Sequence, residues 1–302
     1  MIPTICIAAN IQAITLNRNL NYGQDFSTCG EGIDDYGSFK FIVIADGHGN
    51  GKYVEIMSSN NFKWNRIISQ STGKDMLEKL HKQIEKACNN NIDKINSFEN
   101  DGSTLSIVKI YKNMIKCFWI GDSQIRIFKN KKEWFKSKNH TAKNKKELTR
   151  LEQCQESAYN IKKVKSLFVA DPHTLTKTYQ KQIHFYTNNT CEKMNITRAL
   201  GHNNALHPIF QIKTLFIDEE DIIDIVAASD GFWDMYCETS DHDIEGLLKK
   251  SAKDLAFLAL QRWQQSWNYK NTTYTLPTSE CDDISIAIFR NKSIDRNNII
   301  IN

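Results

Sequence analysis

Proline is scarce, with 4 in 302 residues, and glycine stands at only 13. A collagen-like repeat and a proline-rich linker are therefore excluded. No apolar run approaches the ~18 residues that a membrane-spanning helix needs. A dominant charge is missing as well. The 39 basic and 35 acidic residues leave a net +4, too mild a balance to call for a nucleic acid or an anionic membrane as partner. Among the 8 cysteines no two lie closer than 23 residues, so zinc-type Cys-x-x-Cys pairs are absent. A disulfide framework is out of place in a chain this long, and the expectation is reduced thiols in an intracellular, cytoplasmic protein. Met1–Ala9 is apolar but short and without a basic start, which reads as a first strand and not as a signal peptide.

Hydrophobic residues make up 40% of the chain and charged residues 25%, enough for a sizeable core. Several stretches read as strands: Phe39–Ala45, Thr104–Tyr111, Met114–Ile120, Gln124–Phe128, Phe210–Phe216, Ile222–Ala228 and Ile284–Phe289. Lys112-Asn113 is placed to make a tight hairpin turn. Apolar residues at helical spacing predict helices over Asp75–Ile95 and Asp243–Trp263, with a more polar one near Lys145–Ser157. No strand pair shows a βαβ rhythm. The expected class is α+β, with antiparallel sheets covered by helices. Residues 291–302 read as a short tail. Lys129–Lys146 holds eight lysines and one glutamate, which suits either a docking patch for an acidic or phosphorylated partner or a solvated loop.

The chemistry is written in where the acids sit. The FIVIA run leads into Asp46-Gly47-His48-Gly49, CFWI into Gly121-Asp122-Ser123, and IIDIVAAS into Asp230-Gly231 with Asp234 one helical turn on. Asp282-Asp283 immediately precedes ISIAIF. A lone Asp-Gly is ordinarily a turn or a cap. Four apolar strands that each carry an Asp at one end are a different matter, because a carboxylate there is held rigidly at a sheet rim. Several such carboxylates repel unless a cation neutralises them, and oxygen-only ligands select hard ions such as Mg²⁺ or Mn²⁺. The glycine-rich Gly47–Lys52 is no P-loop, since Asp46 stands where its first glycine belongs and Tyr53 follows the lysine. His48, between two glycines and beside Asp46, is placed to donate a proton.

In this order the motifs resemble the metal-dependent Ser/Thr protein phosphatases of the 2C type. Asn21-Tyr22-Gly23-Gln24-Asp25 is similar to the first acidic motif of that family, and Asp46-Gly47-His48-Gly49 to its Asp-Gly-His-Gly signature. Asp101-Gly102-Ser103-Thr104, Gly121-Asp122-Ser123 and Arg198-Ala199-Leu200-Gly201 follow. Ser229-Asp230-Gly231-Phe232-Trp233-Asp234 and Asp282-Asp283-Ile284-Ser285 close the series. The resemblance implies a four-layer αββα sandwich over residues 1–290, two antiparallel sheets flanked by helices, with a metal cleft at one end.

By residue, it implies that Asp46 bridges two Mg²⁺ or Mn²⁺ ions, that the Gly47 carbonyl binds one, and that Asp230 and Asp282 hold one. Asp25 would act near the other ion through water, and Asp122, Asp230 and Asp234 would form a weaker third site. A hydroxide bridging the two ions would attack phosphoserine or phosphothreonine of a phosphoprotein, and His48 as imidazolium would protonate the leaving oxygen. No catalytic cysteine, nucleic acid or membrane is implied, and a monomer is expected.

The chain departs from the family pattern in places. Leu20 stands where the family usually has a phosphate-gripping Arg, and Arg18 is the nearest cation for substrate. Gln24 replaces a common Glu. Gln124, His202 and Asn139-His140 depart at positions read as structural. The alternative is a catalytically weakened pseudo-phosphatase that keeps the fold as a phosphoprotein- or partner-binding module.

Overall fold

The computed structural model describes residues 2–8, 10–17, 23–89, 101–153, 159–187, 190–202, 206, 208–237 and 241–291. In chain order the first strands are β1 (Ile2–Ala8), β2 (Ile11–Asn17), β3 (Asp25–Asp34), β4 (Gly37–His48), β5 (Gly102–Ser103) and β6 (Leu105–Ile110). Then come β7 (Met114–Ile120), β8 (Gln124–Lys129), β9 (Lys132–Lys136), β10 (Tyr159–Asp171), β11 (Thr174–Thr187) and β12 (Thr190–Met194). The series ends with β13 (Leu200–Gly201), β14 (Gln211–Phe216), β15 (Ile223–Ala228), β16 (Ser266–Tyr269), β17 (Thr272–Thr275) and β18 (Ile284–Arg290). The helices are α1 (Lys52–Ser58), α2 (Trp64–Ile68), α3 (Gly73–Asn89), α4 (Lys145–Gln153), α5 (Asp230–Trp233), α6 (Asp241–Lys249) and α7 (Ala252–Gln264).

Strand β4 explains the layering. Its run Phe39–Ala45 is apolar at every position except Lys40, which is the pattern of a strand covered on both faces. Phe39, Phe41, Val43 and Ala45 pack under Val54, Met57, Trp64, Ile67, Met76 and Leu80 of α1, α2 and α3. The intervening Ile42 and Ile44 point the other way, against Ile125, Ile127, Ile225 and Ala287 of a second sheet. Strand β18 repeats the logic: Ile284, Ile286 and Ile288 meet Leu255, Ala259 and Trp263 of α7, while Ala287 and Phe289 face inward. The result is helices, sheet, sheet, helices. One sheet runs β13-β5-β4-β6-β7-β14 with β3 on β4, the other β1-β2-β18-β15-β8-β9, and within each the strands pair antiparallel. The expected α+β sandwich is the observed fold.

Other expectations are corrected. The helix expected over Asp243–Trp263 is two helices, α6 and α7. Ser251 breaks the run: its hydroxyl accepts the Asp254 backbone N–H and Asp254 reaches back to the Ser251 N–H, a capping box that starts a new helix. Lys129–Lys146 is not a loop. It contains the end of β8, a turn with positive φ at Asn130 and Lys131, all of β9 and the start of α4. Lys129 pairs with Asp221 at 2.7 Å, while Ser137, His140 and Ala142 are buried. The region after it forms the long hairpin β10–β11, which joins β12, β16 and β17 in a further sheet. Helix α3 is described to Asn89, and the rest of the expected Asp75–Ile95 lies outside the described residues, as does the tail from 292. Among the described residues no helix is long and apolar enough to cross a membrane.

Two substitutions measure the layers. Ile44→Ala empties a fully buried site between the sheets, and its expected cost is about 2–5 kcal/mol. Ser251→Ala removes only the cap of α7 and is expected to cost about 1 kcal/mol. Urea denaturation ranks them, and a larger loss for Ser251→Ala would contradict this packing.

Candidate active site

The register of β3 on β4 sets Asp25 directly opposite Asp46 at the same end of the sheet. Asp46 is locked by its backbone. Its N–H donates to the Thr104 hydroxyl at 3.2 Å, and its carbonyl accepts from the Thr104 N–H at 2.8 Å and the Ser103 hydroxyl at 3.0 Å. The Gly47 N–H donates to the Gln24 carbonyl at 2.6 Å. A Cβ at position 47 would sit 2.7 Å from that same oxygen, which is why the residue is glycine.

The crossover and the other sheet deliver further acids to the same end. Asp122 lies in the turn between β7 and β8, and the neighbouring Ser123 hydroxyl is 2.6 Å from that of Thr104, the residue that holds the Asp46 backbone. After β15, Ser229 occupies the position just before the short α5, which begins at Asp230. Ser229 exchanges backbone and side-chain hydrogen bonds with Ser285 at 2.9 Å and donates its hydroxyl to Asp25 Oδ2 at 2.6 Å. Gly231 lets α5 press on the residues before β18, since a Cβ there would lie 1.9 Å from the Asp283 carbonyl oxygen. Asp234 ends α5, its N–H donating to the Asp230 carbonyl at 2.7 Å. Asp283 accepts the Gln24 N–H at 2.8 Å, and Asp282 accepts the Asp283 N–H at 2.9 Å.

The outcome is a cluster of aspartates. Carboxylate oxygens of Asp46, Asp122 and Asp230 all lie within 4.8 Å of one another. Asp25, Asp46 and Asp122 are 3%, 7% and 9% exposed. Burial, and then the charge of neighbouring acids, pushes the whole group upward. Asp46 rises well above the usual carboxylate range through burial and the charges of Asp230, Asp25, Asp282 and Asp122. Asp25 rises through burial and Asp282, opposed by the Ser229 hydroxyl. Asp122 rises through burial, Asp230 and Asp234. Asp230 and Asp234 are pushed to about 6, by burial first and then by Asp234 and Asp282 respectively.

Every carboxylate singled out in the sequence thus acts on this one field. Asp122 stands with Asp46 and Asp230 in the triad, and the charge of Asp282 acts on Asp25 and Asp46. Arg18, Leu20, Asn21 and Tyr22 lie outside the described residues. Burial and the His202 ring, 5.9 Å away between centroids, push His48 down to about 3, so the bare protein holds a neutral imidazole.

Sequence reasoning missed the supports. Asp283 and Ser229 sit next to acids already singled out, and their hydrogen bonds belong to chain segments more than 200 residues apart. Arg198 of the Arg-Ala-Leu-Gly segment grips buried Glu147 at 2.6 Å, with Arg150 and Thr197 on the same carboxylate. His202 is no idle substitution, because it packs on His48. Gln124 and His140 are structural as expected: Gln124 bonds Asn139 and Arg126, and His140 accepts the Gly121 N–H at 3.1 Å.

The family model of protein phosphatase 2C matches residues 12–256. The chain belongs to the protein phosphatase 2C family and is by that membership a serine/threonine protein phosphatase. Solved structures with the same fold include a sex-determining protein of C. elegans, 16% identical over 93% of this chain with a TM-score of 0.53. The chain spans 64% of that protein's length. A serine/threonine phosphatase of Staphylococcus aureus is 15% identical over 94% of this chain and 95% of its own, with a TM-score of 0.53. One of Mycobacterium tuberculosis is 16% identical over 92% and 96%, with a TM-score of 0.50. No curated protein matches the chain.

The residues present fit a metal. The donors are hard carboxylate oxygens, those of Asp46 and Asp122 are on buried residues, and Asp122 Oδ1 has no hydrogen-bond partner. The cluster also destabilises the metal-free fold. A carboxyl whose pKa in the fold lies above its unfolded value binds its proton more tightly when folded. Stability of the metal-free protein therefore falls as pH rises from 3.8 through about 6. In EDTA at pH above that window, Asp230→Asn is expected to raise Tm by about 3–6 °C. Added Mn²⁺ should raise the Tm of the parent protein and leave that of the variant little changed. A variant that melts lower in EDTA, or gains as much from Mn²⁺ as the parent, would contradict the account.

Proposed function

We propose that the chain hydrolyses phosphoserine and phosphothreonine in proteins with two divalent ions, Mg²⁺ or Mn²⁺, bound at the aspartate cluster. Residues 1–290 act in this reading as one catalytic domain, monomeric, on a phosphoprotein substrate. The observation that carries it is the triad Asp46, Asp122 and Asp230, the first two buried and the third half-buried. Asp46, the Gly47 carbonyl, Asp230 and Asp282 are the proposed ligands, with Asp25 acting beside them. Asp122 and Asp234, with Asp230, are the proposed weaker third site. When bound, the ions make a water acidic enough to serve as nucleophile near neutral pH and offset the charge of the phosphoryl oxygens.

The chain's own residues supply the rest. The backbone bonds to Thr104, Ser103 and Gln24 hold Asp46 and Gly47 still, so that no reorganisation is needed at the moment of reaction. Ser229 fixes Asp25 in one orientation. His48 is the proposed proton donor. Its Nδ1 is enclosed, which leaves Nε2 to hand a proton to the departing serine or threonine oxygen. A substrate dianion beside the ring favours the protonated form and opposes the burial that depresses it. Arg18 is the proposed phosphate contact in place of the missing arginine. Among the described residues every carboxylate that a metal site would need is present, and no observation favours the pseudo-phosphatase reading.

Purified protein is expected to hydrolyse p-nitrophenyl phosphate and a phosphothreonine peptide only with Mn²⁺ or Mg²⁺. Asp46→Asn should lower the rate by about 100-fold or more. His48→Ala should lower kcat by about 100-fold while leaving the Mn²⁺-induced rise in Tm intact. Background hydrolysis alone in saturating Mn²⁺, at every pH from about 6 to 9, would overturn the proposal. Leu20→Arg, which restores a guanidinium, should lower KM by about 10-fold or more. An unchanged KM would mean that Arg18 or another group already grips the phosphate.

A further inference from the structure

The two sheets touch at one edge through sulfur. Cys6 lies on β1, the edge strand of its sheet, and Cys29 lies on β3, the edge strand of the other. Along β1 the side chains alternate: Ile5 and Ile7 are 51% and 75% exposed, while Cys6 turns toward the sandwich interior. On β3, Ser27 and Cys29 face the opposite sheet, where the Ser27 hydroxyl meets that of Thr15 at 2.8 Å. The Cys29 thiol donates to Cys6 Sγ at 3.2 Å, and the Thr28 hydroxyl reaches the same sulfur at 3.8 Å. The Cys6 sulfur is also 3.4 Å from the Cys29 carbonyl oxygen. A disulfide needs the two sulfurs only about 1 Å closer. Neither residue is in a disulfide, and nor are the buried Cys117, Cys237 and Cys281. Of these five, Cys6 is the one with partial access to solvent.

We propose that Cys6 and Cys29 form a thiol–disulfide site whose oxidant is a peroxide, and that its oxidised form staples edge strand β1 to β3. The cysteines take no part in the phosphatase reaction, so the inference stands apart from it.

The environment divides the labour between the two sulfurs. The hydrogen bond from Cys29 lowers the pKa of Cys6, favouring the thiolate that attacks. The same contact and burial raise Cys29, which keeps its proton until the second step. In the first step the Cys6 thiolate takes an oxygen from the peroxide: an S–O bond forms, the O–O bond breaks, and hydroxide leaves to be protonated by solvent. In the second step Cys29 sulfur attacks the Cys6 sulfenic acid: the S–S bond forms, the S–O bond breaks, and water leaves with the Cys29 proton. Two thiols are oxidised and one peroxide is reduced to two waters. The site lies in the stretch that leads to the candidate active site, since β3 begins at Asp25, four residues before Cys29.

The test uses the full chain and hydrogen peroxide, followed by alkylation of remaining thiols, digestion and mass spectrometry. The expected product is a peptide pair joined through Cys6 and Cys29, lost on treatment with dithiothreitol, and a Tm that rises on oxidation and returns on reduction. In Cys29→Ser, dimedone should trap Cys6 as its sulfenic acid. In Cys6→Ser, Cys29 should stay reduced. Alkylation of both residues in the parent protein after peroxide would overturn the proposal, as would a bridge from Cys6 to any other cysteine. The parent protein alone decides the matter if a variant fails to fold.

Discussion

Like charges gathered in a medium of low polarity repel strongly, and the end of this sandwich gathers Asp25, Asp46, Asp122, Asp230, Asp234 and Asp282 within reach of one another's fields. Left alone, such a group favours its protonated forms and opposes folding at neutral pH. A hard divalent cation reverses the sign of that interaction. The same carboxylates that weaken the metal-free fold become its ligands. Most of the local architecture reads as the means of holding the acids in place against their repulsion.

The holding is done by ordinary backbone and hydroxyl groups from both sheets. Thr104, Ser103 and Gln24 secure β4, Ser229 and Ser285 secure α5 and β18, and the Ser229 hydroxyl crosses to Asp25. Behind them the inter-sheet layer of Ile42, Ile44, Ile125, Ile225 and Ala287 is close to fully buried. Neither sheet could carry the site by itself, because Asp46 belongs to one, Asp230 lies at a strand end of the other and Asp122 sits in the turn that crosses between them. Rigidity of the core and preorganisation of the acids are in this sense one property.

Much of this was legible in the sequence. Strands β4, β7, β15 and β18 were marked by apolar, β-branched runs, and each ends or begins beside an Asp, so the rim of acids could be read directly. What stayed hidden depends on contacts distant in sequence or on a single capping residue. Leu247, Leu248, Leu255 and Trp263 keep a helical rhythm across the break at Ser251, so periodicity alone joined α6 to α7. The hairpin β10–β11 is rich in lysine and threonine and carries little alternation. Its pairing is fixed by the turn at Pro172-His173, where the His173 N–H donates to Asp171 at 2.9 Å. The tight triad could not be told from the looser acids, since motif order says nothing about which carboxylates meet. The charge state of His48 depends on its burial against His202, a neighbour 154 positions along the chain.

Anomalous scattering from crystals soaked in Mn²⁺ tests the central electrostatic claim most directly, because it locates and counts the ions without reference to turnover. The account predicts strong peaks among Asp46, Asp122, Asp230 and Asp282. A map with manganese elsewhere on the molecule and none between these carboxylates would contradict it.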